Sequence, residues 1–208
     1  DPPARRLEMS LCQARHWVFD MDGTLTLAVH DFEAIKHALE IPLEQDILHH
    51  LAALPADEAK AKHAWLLEHE RELALNARPA PGAVELLREL AGRGYQLGIL
   101  TRNAHELALL TLQAIGVGDC VATADVIGRD EALPKPDPDG LLRLAQRWQV
   151  APSQLIMVGD YRFDLQCARA AGAYSVLVNL PSNPWPELVD HFALDCGALL
   201  GQLDGRSN

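Results

Sequence analysis

Short apolar runs alternate with longer segments of helical periodicity through most of the chain. The runs His16–Phe19, Tyr95–Leu100, Leu155–Val158 and Tyr174–Val178 are too short for helices and nearly continuous in apolar residues. They predict strands covered on both faces. Between them, Ala83–Arg93, Ala104–Ile115, Asp139–Trp148 and Phe163–Ala171 carry apolar residues at helical spacing. This alternation predicts an α/β fold, a parallel sheet doubly wound with helices on both faces.

One segment interrupts the alternation. Residues 28–78 hold no strand signal, only helical patterns over Asp31–Glu40, Leu43–Leu54 and Asp57–Ala77, divided by Pro42 and Pro55. Pro79-Ala80-Pro81-Gly82 then reads as a stiff link into the next helix. The expected organisation is an α/β core of residues 1–27 and 79–208, with a small all-α cap of residues 28–78 inserted after the first strand. The polar tail from Asp204 is expected to be loose.

Composition narrows the functional classes. The chain has 208 residues, 49% of them hydrophobic, which is enough for a substantial core. Its formal net charge of −11 disfavours contact with a polyanionic backbone, so no nucleic-acid partner is expected. No apolar stretch approaches the roughly 18–20 residues of a membrane span, and none is expected. Asp1-Pro-Pro-Ala-Arg-Arg lacks the apolar stretch of a signal peptide. The absence of an initiator Met allows for native residues ahead of Asp1. Cys12, Cys120, Cys167 and Cys196 form no CxxC pair, which excludes a zinc ribbon and suits buried free thiols in a reducing cytoplasm.

In an open parallel sheet, ligands bind outside the carboxyl ends of the strands. Three apolar runs lead into a reactive polar residue there: Asp20, Thr101 and Asp160. If those strands are neighbours, the three side chains converge on one crevice. Within Asp20-Met21-Asp22-Gly23-Thr24, residues two apart point to the same side in extended backbone. Two carboxylates about 4 Å apart repel by roughly 4 kcal/mol at an effective dielectric near 20. With Asp160 added, either some of these acids hold protons or a cation sits among them. An all-oxygen ligand set favours Mg²⁺. Standing alone, the first cluster is explained better by an ordinary Asp-Gly turn after a strand.

Three further elements have similar double readings. Thr101-Arg102-Asn103 opens a helix and offers a hydroxyl and backbone N–H groups to an anion, or merely caps that helix. Lys135, in Leu133-Pro134-Lys135-Pro136-Asp137-Pro138, is a compact charge suited to a phosphate oxygen, on a loop its prolines should hold extended. A solvated lysine is the plain alternative. Asp160 and Asp164, in Gly159-Asp160-Tyr161-Arg162-Phe163-Asp164, share a face if the helix begins early. Asp164 otherwise simply complements the helix dipole. Six of the nine histidines, including His30, fall in the inserted segment, where exposed helix positions account for them. The four tryptophans, Trp17, Trp65, Trp148 and Trp185, are read as packing residues.

Taken in order, these motifs resemble the haloacid dehalogenase superfamily of phosphotransferases, in its phosphoglycolate phosphatase-like branch. Asp20-Met21-Asp22-Gly23-Thr24-Leu25 looks like the first family motif, Thr101 the second, Lys135-Pro136 the third, and Gly159-Asp160 with Asp164 the fourth. The resemblance implies a Rossmann-like core and a phosphatase acting on a small phosphorylated metabolite. Asp20 would be the nucleophile, forming an aspartyl-phosphate, and Asp22 the general acid and base. Mg²⁺ would be held by Asp20, the Asp22 carbonyl and Asp160, with Asp164 ordering its waters. Thr101, Arg102 and Lys135 would bind phosphate. Thr26-Leu27-Ala28 departs from the Asp followed by Ser or Thr that many relatives carry. The inserted segment is also short for this branch. Both departures touch the region that selects substrate. A phosphomutase resembling β-phosphoglucomutase is the near alternative. A non-catalytic receiver-like domain is the distant one, since receivers need neither the insertion nor an acid at position 22. A monomer or homodimer is expected.

Overall fold

The computed structural model describes residues 10–205. The opening Asp1–Arg6 and the last three residues of the polar tail lie outside that range. Six parallel strands form the sheet: β1 (His16–Phe19), β2 (Gln96–Leu100), β3 (Val126–Ile127), β4 (Leu155–Gly159), β5 (Tyr174–Leu177) and β6 (His191–Phe192). Their spatial order is β3-β2-β1-β4-β5-β6. β1 is therefore central, with Phe19 opposite Ile99 of β2 on one side and Val158 of β4 on the other. The strand order reverses between β1 and β4, which is where a doubly wound sheet opens its ligand crevice.

Alternation along the strands sorts the core into two layers. Trp17, Phe19, Ile99, Ile156 and Val158 pack with α4 (Ala83–Gly92), α5 (His105–Ala114) and α8 (Cys196–Gln202). Val18, Leu100 and Met157 face the opposite way, onto α6 (Asp139–Trp148) and α7 (Arg162–Ala171). Both faces are covered, so the strands carry almost no polar residues. The α/β doubly wound class is what the alternation predicts.

Two strands and one helix have no counterpart in the sequence reading. β3 and β6 span two residues each, too few to leave a hydrophobic run, and α8 carries two glycines that blur its period. β2 begins one residue late because the Tyr95 N–H still closes α4 onto the Leu90 carbonyl (3.1 Å). The tryptophans do not share one role: Trp17 is fully buried, whereas Trp65 is 41% exposed and stacks on His69. All four cysteines are free, but only Cys167 and Cys196 are buried; Cys12 is exposed. Among the described residues, no helix is long and apolar enough to cross a membrane.

Three helices fill the interruption after β1: α1 (Phe32–Ala38), α2 (Ile47–Ala52) and α3 (Ala56–Leu75). α2 starts later than its apolar pattern suggests, because Asp46 is its cap and accepts from the His49 N–H (3.0 Å). The insertion has its own apolar cluster of Ile35, Leu39, Ile41, Leu51 and Leu66. Its two connections run side by side, with the Leu27 N–H on the Arg78 carbonyl (2.9 Å) and the Ala80 N–H on the Leu25 carbonyl (2.8 Å).

Candidate active site

The three central strands deliver Asp20, Thr101 and Asp160 to one edge of the sheet. Asp20 follows β1 with its N–H on the Val158 carbonyl (2.9 Å), and Thr101 follows β2 with its N–H on the Ile127 carbonyl (3.0 Å). They open onto a cavity of about 620 Å³ between the sheet edge and the insertion, which Asp22, Lys135 and Asp164 also line.

Acids dominate this edge. Asp20, Asp160 and Asp164 bring carboxylate oxygens within 4.8 Å of one another, the one such group among the described residues that could hold a metal ion. Lys135 Nζ reaches into it, donating to Asp20 Oδ1 (2.8 Å) and Asp164 Oδ1 (2.7 Å). Burial by itself would strip the proton from Lys135, but Asp164 and Asp20 beside it outweigh that and hold it charged. One ammonium does not balance three carboxylates. Burial, with Asp20 and Asp164 close by, pushes the Asp160 carboxyl up to about 9. Burial and Asp20 push Asp164 up to about 6, against the pull of Lys135. This excess of buried negative charge, presented by oxygen donors alone, is the environment a hard divalent cation relieves. The residues therefore fit Mg²⁺.

The loop after β1 is pinned from several sides. The Thr24 hydroxyl lies 3.1 Å from Asp20 Oδ2 and 2.9 Å from Asp160 Oδ1. It carries one proton, so it bonds both carboxyls only when one of them is protonated, a state the raised Asp160 favours. Asn179 Nδ2 donates to the Gly23 and Thr24 carbonyls at 2.8 and 2.9 Å. Gly23 has φ of 85°, and a Cβ there would stand 2.5 Å from Asp160 Oδ2, so only glycine lets the loop close over the cluster. Asp22 lines the same cavity, and burial raises its carboxyl above the ordinary range.

Each sequence candidate has a definite place. Thr101 is buried and its Oγ1 accepts from the Asn103 N–H (3.1 Å) while the residue lines the cavity. Lys135 is 3% exposed, so the solvated alternative does not apply. Its loop is a turn and not extended, with the Asp137 N–H on the Pro134 carbonyl (3.1 Å). Asp164 serves in both of its possible roles: it accepts from the Tyr161 N–H at the start of α7 (3.2 Å) and belongs to the acid group. Asp160 precedes that helix. Arg102 lines the cavity, but its Nη2 donates to both Asp46 oxygens (2.7 Å each) and its guanidinium lies 5.2 Å from the Phe163 ring centroid.

Sequence reading named Thr24, His30 and Asn103 but gave them no role in the site, and it did not single out Asn179, Arg129 or Glu70. His30 lies just ahead of α1, half-buried, and lines the cavity, so it is not an exposed helix position. Thr24 had a local signal in its place beside two aspartates. For Asn179 no local signal exists, since it meets the loop from 156 positions away in the chain.

Known proteins place the chain in a family. The model of the haloacid dehalogenase-like hydrolases matches residues 15–172. A haloacid dehalogenase-like hydrolase domain-containing protein of Arabidopsis thaliana is 31% identical over 182 residues, 82% of this chain and 73% of its own length. A phosphoglycolate phosphatase of Rhodospirillum rubrum is 32% identical over 198 residues, 78% of each. Among solved structures, a hydrolase from Pseudomonas syringae shares the fold, with a TM-score of 0.76 at 24% identity over 94% of this chain and all of that one. With the four motifs in order and their side chains gathered on one sheet edge, the chain belongs to the haloacid dehalogenase-like hydrolases.

Proposed function

We propose that the protein hydrolyses the phosphate monoester of a small metabolite through an aspartyl-phosphate on Asp20. The observation that carries this reading is the gathering of Asp20, Asp22, Thr101, Lys135, Asp160 and Asp164 around a single cavity. Asp20 attacks phosphorus as the ester P–O bond breaks, and Asp22, whose carboxyl burial raises above the ordinary range, gives a proton to the departing alkoxide. Water then attacks the aspartyl-phosphate and Asp22 takes its proton, which frees inorganic phosphate and restores both carboxyls. Lys135 and Thr101 neutralise and orient the phosphoryl oxygens. Asp20, the Asp22 carbonyl, Asp160 and Asp164 would hold Mg²⁺, which when bound would offset the clustered carboxylates and the phosphoryl charge. The helical insertion acts as a cap over the leaving group, and its Phe32, Lys36 and Glu44 line the far side of the cavity. Arg102, paired with Asp46, stands where a phosphoryl oxygen and the cap compete for it.

The test is release of inorganic phosphate from a panel of phosphorylated metabolites with Mg²⁺ present, ranked by kcat/KM. It is joined to mass spectrometry of acid-quenched enzyme, with a phosphoryl adduct on Asp20 as the expected result. Turnover without that adduct, or retained turnover in Asp20→Asn, overturns the nucleophile. Transfer of the phosphoryl group to a second sugar position in place of phosphate release identifies a mutase.

A further inference from the structure

Away from the acid cluster, a second polar chain runs from the insertion toward Asp22. It starts at Glu70 on α3, which is buried and ion-paired with Arg129 just after β3. Arg129 Nη2 also donates to Asn103 Oδ1 (3.2 Å), and the Arg129 N–H donates to the Asn103 carbonyl (2.9 Å). This approach depends on Gly128, where a Cβ would stand 2.8 Å from the Asn103 carbonyl oxygen. Asn103 Oδ1 accepts a second bond, from the Ala104 N–H (2.8 Å). Its oxygen is thus held from two sides, which fixes the amide orientation and leaves the NH₂ group to donate. Asn103, Asp22 and Glu70 line one cavity, where the Asn103 side chain favours the ionised Asp22 carboxyl against the effect of burial.

The Glu70 and Arg129 side chains are only 11% and 10% exposed. A pair this deep gains little net stability, and breaking it leaves an uncompensated charge. A purely structural strut would be served as well by apolar packing. Joined to Asn103, the pair instead ties the seating of the insertion to the orientation of one amide.

We propose that Arg129, held by Glu70 of the insertion, is a positioning residue for proton transfer to the leaving group. It locks Asn103 so that the amide aims Asp22 at the departing oxygen only while the insertion is seated on the core. The proposal rests on the reading of Asp22 as general acid and base.

A pair of probes of similar bulk tests it. Benzyl phosphate departs as an alkoxide and needs the proton; p-nitrophenyl phosphate departs as a stabilised phenolate and does not. With Mg²⁺ present, Glu70→Gln and Arg129→Gln should each lower the benzyl to p-nitrophenyl ratio of kcat/KM by roughly tenfold or more, since a positioned general acid supplies at least that factor. Arg129→Lys, which keeps the charge, should recover part of the ratio. Equal losses on both probes, or no loss on either, would leave the phosphatase reading intact and overturn the positioning role. If neither Gln variant yields folded protein, by melting, the pair is a strut and the role falls as well. If the wild type hydrolyses neither probe nor any metabolite of the panel, the phosphatase reading itself has failed.

Discussion

The sheet edge and the insertion face each other across one cavity, yet they are held together by different forces. At the edge, every acid leaves a strand or helix whose neighbours are fixed by backbone ladders, and Phe19, Val158 and Ile99 beneath it are fully buried. The insertion rests on five buried apolar side chains of its own. It meets the rest of the molecule where α3 packs against α5 and through ion pairs, Arg102 with Asp46 and Arg129 with Glu70, and more weakly Arg71 with Glu106 at 3.9 Å. A crowd of like charges can be kept in place only on a rigid platform, because repulsion would otherwise disperse it. An insertion acting as the proposed cap would need contacts that are specific in direction and modest in strength.

The largest test of this contrast is Asp20→Asn. Turnover should fall by roughly 10⁴-fold or more, as for other covalent nucleophiles. The metal-free variant should melt above the metal-free wild type, because one member of the repelling cluster is neutral. A lower melting temperature would show that the cluster does not cost the fold stability.

Chelation is expected to stop turnover and Mg²⁺ to restore it, with a matching pH signature. Folding raises the carboxyls of Asp160 and Asp164 from an ordinary value of 3.8 to about 9 and about 6. The folded state then binds more protons than the unfolded chain across that interval, so metal-free stability falls as pH rises through it. Thermal melting between about pH 5 and pH 8 should show the decline, Mg²⁺ should reverse it, and Asp160→Asn should flatten it. Metal-free stability that climbs with pH would contradict the arrangement.

The insertion should respond locally. Leu51 is fully buried in its small cluster, so Leu51→Ala should cost about 2–4 kcal/mol there. Hydrogen exchange should quicken in α1–α3 while β1, β2 and β4 keep their protection; equal acceleration throughout would mean that the two regions unfold as one. The smallest effect belongs to Asp46→Asn. That pair is partly exposed, with side chains 27% and 36% accessible, and contributes about 1 kcal/mol or less. KM should shift by no more than about fivefold with kcat little changed.

The arrangement of the site was legible where its cause was local. Strand ends carrying Asp20, Thr101 and Asp160 could be read because a doubly covered strand must be apolar until it leaves the sheet. Lys135 and Asp164 were found as candidates but with two readings each, since burial is what separates a solvated lysine from one that bridges two carboxylates. Arg102 was expected at the phosphate. Its partner Asp46 lies 56 positions away and only the folded chain reveals it. β3, β6 and α8 were missed because two-residue strands and a glycine-bearing helix owe their form to neighbours already in place.

The amino-acid order by itself therefore determined the alternation of strand and helix, the place of the insertion and the residue types at the strand ends. These follow from backbone periodicity and from the exclusion of water on both faces of a sheet. Tertiary structure alone decided that β1 sits between β2 and β4, that the acids crowd within reach of one cation, and that Glu70, Arg129 and Asn103 line up toward Asp22. Such contacts join positions tens of residues apart, and their energies arise from desolvation and charge at distances the linear chain does not contain.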